Sequence, residues 1–291
     1  MLNEGNNPNY SVVAVSPDHI YKRSPNEGHS EYLRLAVDDL VLAARNYQFW
    51  FYLGWHDVKQ RYRRSLLGPF WITLSTGVLV VALGVLYASI FKQSIHNYMP
   101  FLAVGLVVWN LVLTSVTDSC MVFISAEGVI KNVRIPLASH VLRMVWRNLI
   151  IFAHNLVIIV AIMLYYDVPV KFETLWALAG LVIVTVNCLC VGMLLGVLSA
   201  RFRDVPQIVI NVMQMAFFLT PIIWKPDILE SRRWLLEFNP FYYIIELVRA
   251  PILGQMPSLH IWSVAILISL ATAILSMAFF SRFRARVAYW L

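Results

Sequence analysis

The sequence predicts an all-α integral membrane fold: six transmembrane helices, an N-terminal interfacial amphipathic helix, and two short re-entrant helices between spans five and six. Three observations lead there. Apolar residues are 59% of the 291-residue chain, charged residues only 13%, and the mean hydropathy is +0.68, beyond what a soluble globular chain carries. The apolar residues collect into six runs that reach or approach the roughly 18 residues, ~27 Å of helix, needed to cross a hydrocarbon core of about 30 Å. The 23 Lys and Arg residues also segregate, seventeen to one side of those runs and six to the other.

In chain order, residues 1–30 are rich in Asn, Pro, Ser and Gly, lack the apolar core of a signal peptide, and read as a disordered cytoplasmic tail without assigned chemistry. Residues 31–64 place Leu33, Val37, Leu40, Ala44 and Tyr47 on one helical face, with Arg34, Asp38, Arg45 and Gln48 elsewhere, then add Phe49, Trp50, Phe51, Tyr52 and Trp55. Aromatic and basic residues mixed in this way favour the headgroup layer, so the segment reads as an amphipathic helix lying in the interface; a soluble docking helix is the alternative.

Residues 65–291 form the membrane domain, with spans near Phe70–Phe91, Met99–Thr117, Val141–Tyr166, Leu175–Ala200, Ile208–Trp224 and Leu259–Phe280. After the second span, residues 127–136 mix charges with Val and Ile expected to be exposed, and stop at Pro136. A helix of about 125–137 offered to a soluble partner and an ordinary loop helix explain this stretch equally well. Arg201 and Arg203 cannot enter hydrocarbon and mark a membrane edge; Asp204 is expected to cap the next helix, with Pro206 in its first turn. The connection 225–257 carries two apolar pieces, 228–238 and another opened by Asn239-Pro240 and closed near Pro251 and Gly254. From Pro240 to Leu253 is about 14 residues, or ~21 Å of helix, too short to span and too apolar for water. Both pieces therefore read as helices, within 226–255, that enter the outer leaflet and return buried against protein.

The more basic side is the cytoplasmic one, which puts both termini in the cytoplasm. The net charge of +7 then serves topology and attraction to anionic lipid, and nucleic acid need not be invoked. Cys120, Cys188 and Cys190 lie in or beside apolar runs without metal-ligand spacing, and His154 reads as an interhelical polar residue, so no metal site is assigned. No Gly-x-x-x-x-Gly-Lys-Ser/Thr occurs, so this chain does not itself cradle ATP phosphates. No span holds the pair of central carboxylates that a proton or sodium relay would require, and Asp118 reads as a cap or a helix–helix hydrogen-bonding group. A membrane-embedded glycosyl- or acyltransferase would normally display a carboxylate or His constellation; none is visible, and no catalytic residue is assigned.

Five motifs in order resemble one family: Arg61-Tyr62-Arg63-Arg64-Ser65-Leu66-Leu67-Gly68-Pro69-Phe70-Trp71; Asn132-Val133-Arg134-Ile135-Pro136; Arg201-Phe202-Arg203-Asp204; Phe217-Phe218-Leu219-Thr220-Pro221-Ile222-Ile223-Trp224; and Asn239-Pro240 leading to Arg249-Ala250-Pro251. They look like the transmembrane subunit of the type-two ABC exporters that move polysaccharides and polyol phosphates. The resemblance covers about residues 31–291. The O-antigen exporter subunit is the nearest likeness, with capsule and teichoic-acid exporters close behind.

That resemblance implies a homodimer of six-span subunits in the bacterial inner membrane, paired with two copies of a separate ATPase that binds ATP and Mg, and extruding an undecaprenyl-diphosphate-linked glycan. It implies ATPase coupling through Glu127, Val129, Ile130, Lys131, Asn132, Arg134 and Pro136, and a periplasmic gate containing Trp234, Asn239, Pro240, Tyr242, Tyr243, Glu246 and Arg249. Arg61, Arg63, Arg64, Arg201 and Arg203 are candidates to meet the diphosphate headgroup, against the competing reading that they anchor the chain to lipid. Among the 39 aromatics, Trp71, Tyr87, Tyr98, Trp109, Phe217 and Phe218 are candidates to line a glycan path, where ring faces offer contacts that are not position-specific; an interfacial belt or simple packing explains each of them as well.

Overall fold

A computed structural model describes residues 29–61, 70–228 and 234–291 of the protein, and all regular secondary structure within them is helical. The elements are α1 (His29–Arg45), α2 (Tyr47–Arg61), α3 (Phe70–Ile90), α4 (Ile95–Met121), α5 (Glu127–Asn132), α6 (Leu137–Tyr165), α7 (Trp176–Arg201), α8 (Val205–Leu219), α9 (Trp234–Glu237), α10 (Pro240–Ile252) and α11 (Leu259–Trp290). Single 3-10 turns precede α5 and α7.

Among the described residues, five helices are long and apolar enough to cross a membrane: α3, α4, α6, α7 with its preceding turn, and α11. The fifth expected span falls short. Its helix, α8, has 15 residues, about 22 Å of rise, and ends at Leu219 instead of running to Trp224. The cause is local: Thr220 precedes Pro221, whose ring disfavours helical backbone at the residue before it, and Thr220 turns extended at φ −89°, ψ 137°. Asp204 also departs from expectation. It occupies the N-cap position of α8, but its side chain accepts no helical N–H and its own backbone is helical; Pro206 does sit in the first turn.

The core is organised around α4, which packs against α3, α6, α7, α8 and α10. Its spanning portion is 78% buried, whereas that of α3 is 11% and that of α11 is 17%. Outward-facing Val78, Leu79, Val81, Val85 and Leu86 make α3 an apolar perimeter, as a helix meeting lipid or another membrane helix requires. Gly180 lets α7 and α10 approach closely, since a Cβ there would lie 2.4 Å from the Leu247 carbonyl oxygen.

Within the expected helix 31–64, the described residues 31–61 form two helices, not one, broken at Asn46, and 62–64 lie outside the described residues. Helix α1 buries Ala36, Asp39 and Ala43 against α6 and α11, and leaves Leu33, Val37 and Val41 exposed in an i, i+4 stripe. Of the predicted apolar face, Leu33, Val37, Ala44 and Tyr47 are exposed, while Leu40 packs on the core. Helix α2 lies on α6, stacking Phe51 on Trp146 with ring centroids 4.2 Å apart, and presents Phe49, Tyr52 and Trp55 outward. Of the two short helices expected after α8, the second is present as α10, whereas the described part of the first is only the single turn α9.

Candidate functional site

Residues 220–223 put irregular backbone into the interior, with Thr220 and Ile222 fully buried, and such backbone must find protein partners. Side chains from two helices supply them. From α4, the Tyr98 hydroxyl donates to the Ile223 carbonyl. From α10, Arg249 Nη1 donates to the Pro221 carbonyl at 2.6 Å. Asn239 Nδ2 donates to the Leu219 carbonyl at 3.2 Å and to Thr220 Oγ1 at 3.0 Å. The other end of the same amide caps α10: Asn239 Oδ1 accepts from the N–H groups of Phe241 and Tyr242 at 3.0 and 3.4 Å. One side chain thus starts α10 and ties it to the end of α8.

Arg249 is 1% exposed, a depth at which an unpaired charge would be prohibitive. Each of its three nitrogens has a partner. Nε and Nη2 both donate to Glu246 Oε2, Nη1 takes the Pro221 carbonyl, and the guanidinium lies 4.1 Å from the centroid of the Phe101 ring. The Tyr243 hydroxyl donates to the Glu237 carbonyl at 3.3 Å, Pro240 occupies the first turn of α10, and Gly254 closes that helix at φ +73°. Trp234, by contrast, is 56% exposed and makes no part of this cluster. Beside the cluster opens a cavity of about 720 Å³, walled by Glu246 and Arg249 and rimmed by the loops after α6 and α8.

The opposite end of the bundle holds α5. Lys131 bonds Glu127 at 2.6 Å and thereby holds the Glu127 carboxyl below its ordinary value. Asn132 Nδ2 donates back to the Gly128 carbonyl at 2.7 Å. The expectation that Val and Ile here are both exposed needs correction: Ile130 is 7% exposed and belongs to the core, whereas Val129 and Val133 form the exposed pair. One face of α5 anchors it and the other is offered outward.

Ion pairs bind the surrounding helices together. Pro136 begins α6 without a capping side chain, so Asp39 of α1 serves instead, accepting from the Leu137 and Ala138 N–H groups at 3.3 and 3.0 Å. Arg284 Nη1 of α11 reaches the same carboxylate at 3.3 Å and the Leu35 carbonyl at 2.7 Å. Asp57 of α2 accepts a two-pronged contact from Arg143 of α6, and Arg147 one turn on bonds Asp118 of α4 at 2.8 Å. The helix–helix reading of Asp118 holds. The ring of His154, expected to bond between helices, instead contacts the Ile150 carbonyl of its own helix at 2.8 Å. A second cavity, about 780 Å³, lies among Asp57, Arg61, Val129, His140, Arg143 and Arg147.

Of the cationic candidates, Arg61 lines that cavity, Arg203 lies close enough to Glu127 to favour its charged form, and Arg201 packs 4.9 Å from the Trp290 ring. Arg63 and Arg64 lie outside the described residues. The aromatic candidates divide. Tyr98 and Trp109 are buried within the chain, Trp109 against Phe217 and Phe241 at 5.8 and 5.5 Å, so both are packing residues here. Tyr87 and Phe217 are half-buried, and Trp71 and Phe218 are exposed. Sequence reasoning missed Asp39, whose signal is a carboxylate inside the buried stripe Ala36, Leu40, Ala43 of α1. Among the described residues, no group of three or more His, Cys, Asp or Glu could hold a metal.

Residues 48–253 match the family model described as ABC-2 type transporter. The chain is also similar to two proteins of Klebsiella pneumoniae called O-antigen export system permease protein RfbA. One is 24% identical over 237 residues, covering 80% of this chain and 90% of the relative; the other is 26% identical over 194 residues, covering 65% and 74%. A protein of the same name from Myxococcus xanthus is 27% identical over 188 residues, covering 63% of this chain and 72% of its own length.

Proposed function

The chain belongs to the ABC-2 type transporter family, a permease and not an enzyme, and from that premise we propose that it exports lipid-linked O-antigen polysaccharide through the inner membrane, driven by a separate ABC ATPase. The observation that carries the substrate is the name shared by three relatives from two genera. Two permease copies pair with two ATPase copies, which bind the ATP and Mg; the apolar perimeter of α3 and the exposed face of α8 support a second membrane-embedded partner. Both termini are cytoplasmic, supported by the excess of basic residues on the α5 side. Helix α8 with residues 220–224 makes a sixth membrane segment. Helix α10, 13 residues and about 20 Å long, dips into the outer leaflet with α9 and returns as the gate.

In the mechanism that follows, ATPase closure pushes on α5, and Ile130 passes the displacement into the core because its side chain is part of that core. Arg61, Arg201 and Arg203 at the α5 end, with Arg63 and Arg64 assigned to that side by sequence alone, receive the diphosphate headgroup of the undecaprenyl carrier. The test is a Val129→Asp/Val133→Asp double variant that spares Ile130. Both positions are exposed, at 40% and 50%, so the melting temperature of the permease should not move. Co-purification of the ATPase and export of the glycan should both fail. Retention of either overturns the docking role of α5.

A further inference from the structure

The cavity beside Arg249 has the chemistry of a saccharide site. At about 720 Å³ it falls within the roughly 300–1,000 Å³ of small-ligand sites. Among the described residues that line it, the charges nearly cancel. Arg249 and Glu246 neutralise each other in the wall, leaving Asp167 and Asp227 against Lys225. The remaining carboxylates disfavour a phosphate or diphosphate, whereas a neutral polyol meets no such opposition. Tyr166 and Tyr242 add ring faces ending in hydroxyls, and a pyranose likewise combines an apolar C–H face with a hydroxylated rim. Tyr166 is steadied edge-on by His96, with ring centroids 5.7 Å apart and planes at 90°. Phe101 is the floor and no stacking platform, because Arg249 and Lys225 already lean on its ring at 4.1 and 5.8 Å.

Asp167 sharpens the case. It follows the end of α6 at φ +49°, in the left-handed region, where the Val168 N–H closes the turn on the Met163 carbonyl at 2.9 Å. Glycine is the residue that such a closure favours. The chain instead carries a carboxylate there, on the rim of the cavity.

We propose that this cavity is a saccharide subsite, holding sugar residues of the exported glycan by hydroxyl hydrogen bonds to Asp167 and Asp227 and ring contacts with Tyr166 and Tyr242; the inference rests on the glycan-export reading. The test uses the assembled permease–ATPase complex in nanodiscs and, as probe, the water-soluble glycan released by mild acid from the host's own lipid-linked polymer. Saturation-transfer NMR should show the glycan bound by the wild type and bound at least tenfold more weakly by Asp167→Gly and by Asp227→Asn. Asp167→Gly removes the carboxylate while relaxing the backbone, so its melting temperature should be equal or higher. Undiminished binding in both variants overturns the subsite, as does displacement of the glycan by inorganic pyrophosphate. A wild type that exports the glycan yet shows no saturation transfer also overturns it and leaves the export reading intact. A complex that hydrolyses ATP but exports none of the glycan sinks the export reading, and the subsite with it.

Discussion

At the α5 end, buried charges join different helices, whereas at the α10 end the charged partners share one helix. Asp39 holds α1 to α6 and α11, and Asp57 holds α2 to α6, so neither α1 nor α2 can shift without parting an ion pair. Glu246 and Arg249 sit three residues apart on α10 and travel together. If α10 moves away from α8, its charge pair survives. The helix gives up the bond to the Pro221 carbonyl, the Asn239 bonds to Leu219 and Thr220, and the face of Phe101. In the proposed mechanism the first arrangement suits a region that transmits force and the second a region that yields to it.

The largest expected effect tests the stiff end. Asp39→Ala takes from buried Arg284 the carboxylate it meets at 3.3 Å and takes the acceptor from two N–H groups of α6. The loss should be about 3–5 kcal/mol, read as a fall in melting temperature of the detergent-solubilised protein. Asp39→Asn separates charge from hydrogen bonding. Burial pushes the Asp39 carboxyl above its ordinary value, ahead of the opposing pull of the Ala138 amide, Arg284 and the Leu137 amide. The fold therefore gains little from the charge itself, and Asn, which keeps one acceptor oxygen but turns an NH2 donor toward the donor at the other, should cost about 1–3 kcal/mol, less than Ala. Equal losses for Ala and Asn would mean that charge is the tie; a tolerated Ala would erase the contrast between the two ends.

Next in size is Arg249→Met, which orphans the Pro221 carbonyl and leaves Glu246, 18% exposed at its side chain, beside the cavity. Because water reaches Glu246, the cost should be about 2 kcal/mol, less than at Asp39. Adding Glu246→Gln should recover part of it, since the pair is internal to α10 and its removal leaves no stranded charge. Thermal melts of the two single variants and the double variant measure this. A double variant no better than Arg249→Met would mean that the pair is not self-contained.

The two ends also differ in how much of each was legible in the sequence. Helix α10 could be bounded because its signals are local: Asn239-Pro240 starts it and Gly254 stops it. The end of α8 was equally local, at Thr220-Pro221, but the apolar residues continuing to Trp224 suggested a full span; hydropathy reports composition and is blind to a proline's effect on the preceding backbone. Glu246, three residues from Arg249, is a partner legible in the sequence, but nothing near Arg249 reveals its other acceptor, the carbonyl of Pro221, 28 residues away. Ile130 and Val129 are adjacent and both apolar, and only the packing of the short helix α5 decides that one is inside and the other outside. Asp39 was readable in principle, as the one charged residue on the stripe of α1 that packs inward.

The smallest effect grades the α5 end itself. The side chain of Asp39 is 2% exposed, that of Asp57 is 15%, and that of Glu127 is 42%. If burial governs what each tie contributes, Asp57→Asn should cost under about 1 kcal/mol, because Arg143 is 32% exposed and water can replace the lost charge. Glu127→Gln should leave the melting temperature unchanged. Ionic strength separates the cases independently: raising salt to about 1 M, where the screening length is ~3 Å, should weaken the Asp57 tie and leave the Asp39 tie intact. The difference in melting temperature between wild type and Asp57→Asn would then shrink as salt rises, while that for Asp39→Asn would stay constant. If both shrink together, the Asp39 site is open to solvent ions, and the stiffness of the α5 end must come from apolar packing of α1 and α2 on α6 instead of from its buried charges.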